Sequence, residues 1–426
     1  MKKRDFKKPL MALCDQALVS GYNFTLAICL TTWLGIKQYG VFALMWMVVL
    51  FCSSIHQQLI IAPMQAFGGN RDKQKKQAFY GQLLYQQLAF SALAGLGVWL
   101  FIQLGGHWFS IAMDKLNWLL PAVAFLFLMC DYFRKRFIVL QETTKAFFFD
   151  LIICSSQFAL IYYRVIAQGH TDLDVILRAI TQGLSVGVFI GVYAHEYLIW
   201  NIPAFQAQVK KHLQHSKWLL GTALTQWFAG NWFVVTAGIL LGPATIGAIR
   251  IAQNILGLFH IPFLAIENYL PTQLMKLYQQ KSLLSFKHQF IKLLLVGGLI
   301  MSAGLAGLSL ISKEIIQLVY GNAFIEYNFV VQGFCLLYAF VFIGILLRIY
   351  LRTIEQTSFI FWGYILNMLF TFCLANYFTM TWGIYGTLSG LIASQLILLA
   401  VMLIPLIWYS HKKAMQLNPI LLITKD

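Results

Sequence analysis

Long apolar segments, separated by short polar ones, recur about twelve times along the 426-residue chain. A helix of about twenty apolar residues crosses the hydrocarbon core of a bilayer, and each segment comes close to or exceeds that length. The pattern therefore predicts an all-α polytopic membrane protein with about twelve transmembrane helices. We place the spans at 10–33, 40–62, 81–104, 117–133, 146–167, 174–200, 218–241, 246–274, 290–311, 327–350, 357–379 and 383–409.

The composition supports lipid as the main solvent of the chain. It is 59% hydrophobic and 11% charged, with a mean hydropathy of +0.71. A soluble chain of this length could not bury so much apolar surface. The seven cysteines lie in apolar segments without metal-ligand spacing, so neither a metal nor a disulfide framework is expected.

The distribution of basic residues predicts the orientation. If the amino terminus is inside and the spans alternate, 25 of the 31 Lys and Arg residues fall on the inner side. This asymmetry obeys the positive-inside rule and places both termini in the cytoplasm. The net charge of +16 then reflects topology and attraction to anionic membrane lipids, and no nucleic-acid partner is expected. The outer side receives Lys37, Lys115 and Lys313, and three arginines fall within or beside spans: Arg164, Arg178 and Arg250.

A weak internal repeat divides the spans six and six. The first two spans are joined by a stretch from Gly35 to Gly40, and the seventh and eighth by one from Gly242 to Gly247. Arg134 ends the fourth span on the inner side, and Arg348 holds the same place on the tenth. We therefore predict two six-helix bundles, 1–205 and 206–426, related by a pseudo-twofold axis along the membrane normal. The second would end in a short cytoplasmic tail.

The eighth span carries a polar face on an otherwise oily helix. Residues spaced three and four apart share one side of a helix, and ionisable groups in a bilayer usually face a bundle interior or a cavity. We expect this face to line a hollow that accepts an anion. Its members are Arg250, Gln253, Gly257, His260, Leu264, Glu267 and Pro271, with Asn254 beside them.

Other spans contribute further polar candidates. Arg164 and Arg178 lie near outer ends, where they could bind an anion or simply extend to the lipid head groups. The amides could bind sugar hydroxyls or only link neighbouring helices. His56 could carry protons or pack in the core. The remaining candidates are Gln16 and Asn23 in the first span, Gln57 in the second, Gln226 in the seventh, and Asp15 as an inner-end acid.

No catalytic constellation is visible. The chain has no nucleophile elbow, zinc signature or phosphate-binding loop, so neither catalysis nor a cofactor is expected. A membrane enzyme that uses a lipid-linked sugar should place carboxylates or a large loop outside. Only Asp172 and Asp174 are paired there, which makes this the least favoured alternative.

Several stretches resemble the polysaccharide or O-antigen flippases of the multidrug/oligosaccharidyl-lipid/polysaccharide exporter superfamily. The opening DQALVSGYNFTLAICLTTWLGIKQYGVFALMW (Asp15–Trp46) carries most of the likeness. It extends over essentially the whole chain through diffuse patterns rather than one motif. The other stretches are DYFRKRFIVLQ (Asp131–Gln141), VYGNAF (Val319–Phe324) and WGIYGTLSG (Trp382–Gly390).

The resemblance implies export of a polyprenyl-pyrophosphate-linked oligosaccharide across the bacterial inner membrane for surface polysaccharide synthesis. It also implies a V-shaped pair of bundles around a cationic cavity. We expect a monomer that could meet a polysaccharide polymerase or other assembly enzymes. An ion-coupled drug or cation antiporter on the same scaffold is the alternative. Helix faces assign the substrate to Arg250, Arg178, Arg164, Asn23, Gln16, Gln57, Gln226, Asn254 and Gln253, and coupling or gating to His260, Glu267, His56 and Asp15.

Overall fold

The computed structural model describes residues 7–69, 73–105, 118–195, 201–280 and 283–416. This part of the chain is almost entirely helical, which confirms the all-α prediction. In the first half the helices are α1 (Lys7–His56), α2 (Ala62–Phe67), α3 (Lys73–Gly105), α4 (Leu119–Val139), α5 (Thr143–Tyr162) and α6 (Leu173–Tyr193). Helix α7 (Ile202–Leu241) follows, and then α8 (Pro243–Leu256), α9 (His260–Gln280), α10 (Leu283–Leu310), α11 (Ser312–Tyr320), α12 (Asn328–Thr353) and α13 (Thr357–Gln416).

Short irregular turns interrupt or extend several of these helices. Wider π-helical turns follow α1 at Gln57–Ile61 and α5 at Tyr163–Ala167. Tighter 3-10 turns separate α8 from α9 at Gly257–Phe259 and precede α12 at Asn322–Tyr327. Both kinds of turn often mark functional or strained places in a helix.

The described residues contain eight helical segments that are long and apolar enough to cross a membrane. Two of them, Leu10–Phe67 and Thr357–Ile407, span 58 and 51 residues and so each contain two predicted spans. The predicted fourth span is the more charged α4, and the predicted eighth is the interrupted pair α8 and α9. Each predicted span therefore coincides mainly with helix over the residues that the structure describes, and the chain is a multi-pass membrane protein.

Two glycines make the sharp bends inside the longest helices. Gly35 in α1 has φ 71° and ψ 166°, and Gly383 in α13 has φ 57° and ψ −133°. Side chains disfavour both conformations, whereas glycine adopts them without a Cβ clash. The bend at Gly35 separates the first predicted span from the second, and the bend at Gly383 separates the last two.

The chain forms two compact units. Unit 1 comprises Met1–Trp227 and Gly242–Gly247, and unit 2 comprises Phe228–Leu241 and Ala248–Asp426. Helix α7 begins in unit 1 and ends in unit 2. The division between residues 205 and 206, which came from sequence symmetry, stays a prediction.

The same helix position organises the core of each unit. In unit 1, α4 packs against α3, α5 and α6, and its Tyr132 and Phe133 are fully buried. In unit 2, α12 packs against α9, α10 and α13, and its Phe334 and Tyr350 are buried in the same way. The helix of the fourth predicted span in each half, α4 or α12, is therefore the central one. Its polar side chains must find partners inside the protein.

The backbone repeats where the sequence repeats. After α4 the chain turns through Gln141 with φ 60°, and after α12 it turns through Glu355 with φ 58°. These two non-glycine residues are 214 positions apart, as are Arg134 and Arg348. Leu140 and Ile354, at the start of the two turns, donate to the carbonyls four residues earlier in the same way. The two halves thus share a local geometry that the sequence repeat only suggested.

Replacing Gly35 by alanine should lower the apparent melting temperature in detergent, because its backbone conformation would cost about 1–3 kcal/mol for a residue with a Cβ. Nothing lies within 4 Å of a Cβ built at Gly35, so the cost would come from the backbone alone. Gly97→Ala in the exposed face of α3 is the matched control, since its Cβ also meets open space and its φ is ordinary. Equal melting temperatures for the two variants would contradict the bend.

Candidate functional site

A half-buried arginine joins three helices of unit 1. Arg134 in α4 donates through Nη2 to Asp15 Oδ2 in α1 at 2.8 Å, and through Nε to Asp150 in α5. Asp15 and Asp150 are only 4% and 6% exposed. We call these three residues the arginine–carboxylate cluster. With both acids ionised it has a net charge of −1, so one positive charge is shared between two negative ones.

A second polar cluster lies one helical turn away, because Asp131 precedes Arg134 by three residues on α4. His56 is completely buried, and its Nε2 lies 2.7 Å from Gln87 Oε1 in α3. Its Nδ1 lies 3.4 Å from Asp131 Oδ2. Gln57, the first residue of the π-helical turn, donates to the same oxygen at 2.7 Å. The end of α1 therefore brings two polar side chains onto one carboxylate.

The exposed faces of α1 differ in chemistry. Gln16 and Asn23 are exposed on one side, where Gln16 donates to Ser20 Oγ at 3.2 Å. On a nearly opposite side, α1 and α5 border an open groove whose walls include Ala17 and Gly21. The two predicted amides thus lie on the polar flank of the helix, away from the groove.

In unit 2, part of the predicted polar face is assembled as expected. Arg250 in α8 is half-buried and donates through Nη1 to Gln253 Oε1 at 2.7 Å. Asn254 donates to the Tyr320 hydroxyl of α11 at 2.7 Å. His260 begins α9, but its side chain lies outside the described residues. The partners of Arg250 thus include the neutral amide of Gln253.

Glu267, further along the same face, contacts another arginine. It lies in α9, is 45% exposed, and its Oε1 is 3.8 Å from Nη2 of Arg348 in α12. Arg348 also donates through Nη1 to the Tyr364 hydroxyl of α13 at 3.5 Å. Both contacts are long, so Arg348 is held less firmly than Arg134.

The remaining candidates lie apart from these clusters. Arg164 donates to Gln182 Oε1 at 2.8 Å and to the Val175 carbonyl at 3.4 Å, which connects the end of α5 to α6. The Arg178 side chain is 59% exposed and pairs with Asp174 at 3.4 Å. Gln226 is exposed on α7. These side chains are accessible or partly occupied, and none joins the buried clusters.

Sequence reasoning missed the partners at the centre of each cluster. Arg134 and Arg348 were read as topology signals, and Gln87 was not considered. A usable signal was present, since Asp131 and Arg134 lie three residues apart near the inner end of α4 and so share a face of the helix. Intramembrane charges of this kind mark functional or structural sites.

Comparison with known proteins gives the class of the fold. The structure is similar to an inward-facing multidrug resistance MATE family transporter of the MOP superfamily, with a TM-score of 0.70 and 13% identity over 95% of this chain and 96% of that chain. It is similar to the lipid II flippase MurJ in an inward closed conformation, with a TM-score of 0.69 and 13% identity over 94% of this chain and 87% of that one. It is also similar to a MOP superfamily transporter from Pyrococcus furiosus, with a TM-score of 0.58 and 13% identity over 95% of this chain and 94% of that chain.

The protein therefore has the fold of MOP superfamily transporters, which includes both drug transporters and a lipid flippase. No family model matches the sequence. No curated protein matches it either. The predicted membership of the polysaccharide flippases stays a prediction.

Replacing Arg134 by glutamine should destabilise the protein by about 3 kcal/mol or more, because two buried carboxylates would lose their counter-charge. The double variant Arg134→Gln with Asp150→Asn should recover part of that loss, since one negative charge is removed as well. Apparent melting temperatures in detergent would measure both. A single variant as stable as the wild type would show that the cluster is solvated rather than buried.

Proposed function

We propose that the protein is a flippase, not an enzyme, that moves a polyprenyl-pyrophosphate-linked oligosaccharide from the inner to the outer leaflet of the bacterial cytoplasmic membrane. The exported unit would serve surface polysaccharide synthesis. Both termini would face the cytoplasm, and the chain would act as a monomer among membrane lipids. Contacts with a polysaccharide polymerase or other assembly enzymes are part of the same proposal.

The observation that supports this proposal most is the setting of Arg250. A charged side chain within a membrane helix costs about 3 kcal/mol on insertion scales, so it is retained where it has a use. Its amide partner, Gln253, does not cancel the positive charge. A guanidinium presents a planar fork of donors that fits phosphate oxygens, so a half-buried Arg250 suits a pyrophosphate.

Neutral polar side chains would bind the glycan. Asn23 and Gln16 are exposed on one flank of α1, and Gln226 is exposed on α7. Asn254 and Gln57 are half-buried and already bonded, so they would act by exchanging partners. Amides of this kind donate to and accept from sugar hydroxyls.

The other two arginines have weaker support. The charge of Arg178 is partly compensated by Asp174. Arg164 already donates to Gln182 and to the Val175 carbonyl, both in α6. We retain both as secondary contacts for an anionic substrate near the outer side. Their exposure or partial occupancy makes a smaller effect on transport expected from either than from Arg250.

Coupling to an ion gradient would use the buried titratable groups. His56 with Asp131, and Asp15 within the arginine–carboxylate cluster, could each bind or release a proton. Glu267 and His260 are the corresponding candidates in unit 2. An inside-negative potential already favours outward movement of a pyrophosphate by about 2.3 kcal/mol per charge per 100 mV, so strict coupling is not required.

An ion-coupled drug or cation antiporter is the second candidate, and one observation favours it. Unit 1 holds three largely buried carboxylates, Asp15, Asp131 and Asp150, against two largely buried arginines, Arg134 and Arg136. Excess negative charge in a membrane interior suits a cation or a proton. The cationic character of the Arg250 region favours the flippase.

Replacing Arg250 by glutamine should reduce surface glycan about tenfold or more, because a charge-assisted contact to phosphate is worth roughly 1.5–3 kcal/mol. Lys313→Gln is the matched control, since it removes an exposed cation from unit 2 at the start of α11. Glycan would be measured by immunoblot in cells with equal protein levels. Normal glycan with Arg250→Gln would remove this residue from the mechanism.

Deletion of the gene should abolish surface glycan without changing drug tolerance, because the proposed cargo is an anionic lipid-linked sugar. Growth with cationic dyes and antibiotics, measured beside glycan levels, separates the two candidates. Sensitivity to drugs with normal glycan would instead favour the antiporter. Complementation by Asp131→Asn would then show whether the unit 1 carboxylates are needed for that resistance.

A further inference from the structure

Arg348 is a half-buried cation whose side-chain contacts are long. Its guanidinium lies 3.8 Å from Glu267 and 3.5 Å from the Tyr364 hydroxyl, and 18% of its side chain is exposed. Charge-assisted hydrogen bonds between a guanidinium and an oxygen are normally about 2.7–2.9 Å. Among the described residues, these two contacts leave most of the five N–H donors of Arg348 available to a stronger acceptor.

The internal repeat gives a direct comparison for this residue. Arg134 and Arg348 each lie five residues before the end of the central helix of their unit. Each contacts the residue sixteen positions further along the chain, which is Asp150 in unit 1 and Tyr364 in unit 2. Equivalent positions therefore carry a carboxylate in one half and a neutral phenol in the other.

This difference changes the charge around the two arginines. Arg134 has two buried carboxylate partners, Asp15 and Asp150, and its Nη2 lies 2.8 Å from Asp15 Oδ2. Arg348 has one carboxylate at 3.8 Å, and that side chain, Glu267, is 45% exposed. A pair this exposed and this long contributes little to stability. The charge of Arg134 is thus neutralised by buried carboxylates. The charge of Arg348 is only weakly compensated, so it can attract an anion.

The depth of Arg348 can be estimated along α8 and α9. Arg250 and Glu267 are seventeen residues apart on this interrupted helix, which corresponds to about 25 Å at 1.5 Å per residue. That distance is most of the hydrocarbon thickness of a bilayer. Glu267 contacts Arg348, so Arg348 lies at about the same depth as Glu267. Unit 2 therefore carries Arg250 near one end of the membrane-spanning distance and Arg348 near the other. By the positive-inside assignment, Arg348 marks the cytoplasmic end.

We propose that Arg348 binds the pyrophosphate of the lipid-linked substrate at the inner side, and that Glu267 pairs with the guanidinium until the substrate binds. The Tyr364 hydroxyl can then donate to a phosphate oxygen beside it. This inference rests on the flippase function proposed above and names the group that binds the cargo first. Arg250 then acts at the opposite end of the path.

The test uses the purified full-length protein in nanodiscs of neutral lipid. Farnesyl pyrophosphate is the probe, farnesol is the uncharged reference, and native mass spectrometry or tryptophan fluorescence gives the affinity. The variants are Arg348→Gln, Glu267→Gln and the control Arg352→Gln. Arg352 is exposed one turn further along α12, so it controls for a general loss of positive charge.

Arg348→Gln should weaken binding of farnesyl pyrophosphate about tenfold or more, because a charge-assisted contact is lost. Glu267→Gln should strengthen binding several-fold, since it removes the competing carboxylate. Arg352→Gln should bind as the wild type does. If the ion pair is purely structural, replacing either partner should lower the melting temperature and leave the affinity unchanged. This result would overturn the proposal.

Three further outcomes are distinguishable. If Arg348→Gln does not elute as a folded monodisperse species, the gain of affinity in Glu267→Gln decides the question alone, and its absence counts against Arg348. If excess phosphatidylglycerol displaces the probe completely, the arginine binds lipid head groups and the assignment to the substrate is wrong. If the wild type binds farnesyl pyrophosphate no better than farnesol, the proposed flippase function fails with it.

Discussion

The organisation of this protein follows from the cost of placing charge in an apolar medium. A guanidinium or carboxylate within the bilayer needs a counter-charge, a hydrogen-bond partner or access to water. In unit 1 the fold supplies the partners, so Arg134, Asp15 and Asp150 hold three helices together. In unit 2 the partners of Arg348 are distant, and Arg250 donates to the neutral amide of Gln253. The charge of Arg134 is therefore compensated at closer range than the charge of Arg348.

The repeat makes this separation visible. The two halves make the same turn after their central helix, so side chains near that turn can be compared position by position. Asp150 and Tyr364 occupy matching places, and one substitution of this type changes whether the neighbouring arginine is neutralised. Equivalent positions of a repeated scaffold can thus differ in how far the fold compensates an arginine's charge.

Hydrophobic length and periodicity were sufficient for the all-helical membrane fold, because lipid restricts a spanning chain to helices that satisfy their own backbone hydrogen bonds. The repeat was also visible, through Arg134 and Arg348. Partner choice was not, since the contact of His56 with Gln87 and that of Arg134 with Asp15 join residues far apart in sequence. Helix faces placed Arg250 and Gln253 together correctly, as neighbours on one helix, but could not show that Arg178 would be exposed and paired with Asp174.

The spacing of the repeated turns has a practical consequence for tagging the protein. Gly169, with φ 69°, has a positive φ as Gly383 does. Arg134 and Gly169 are 35 residues apart, as are Arg348 and Gly383, so this stretch has the same length in both copies. From Gly35 to Arg134 there are 99 positions, against 106 from Gly242 to Arg348. The two copies therefore differ in length before the central helix and agree in length after it. An epitope or fluorescent reporter should for that reason be kept out of the constant-length stretch.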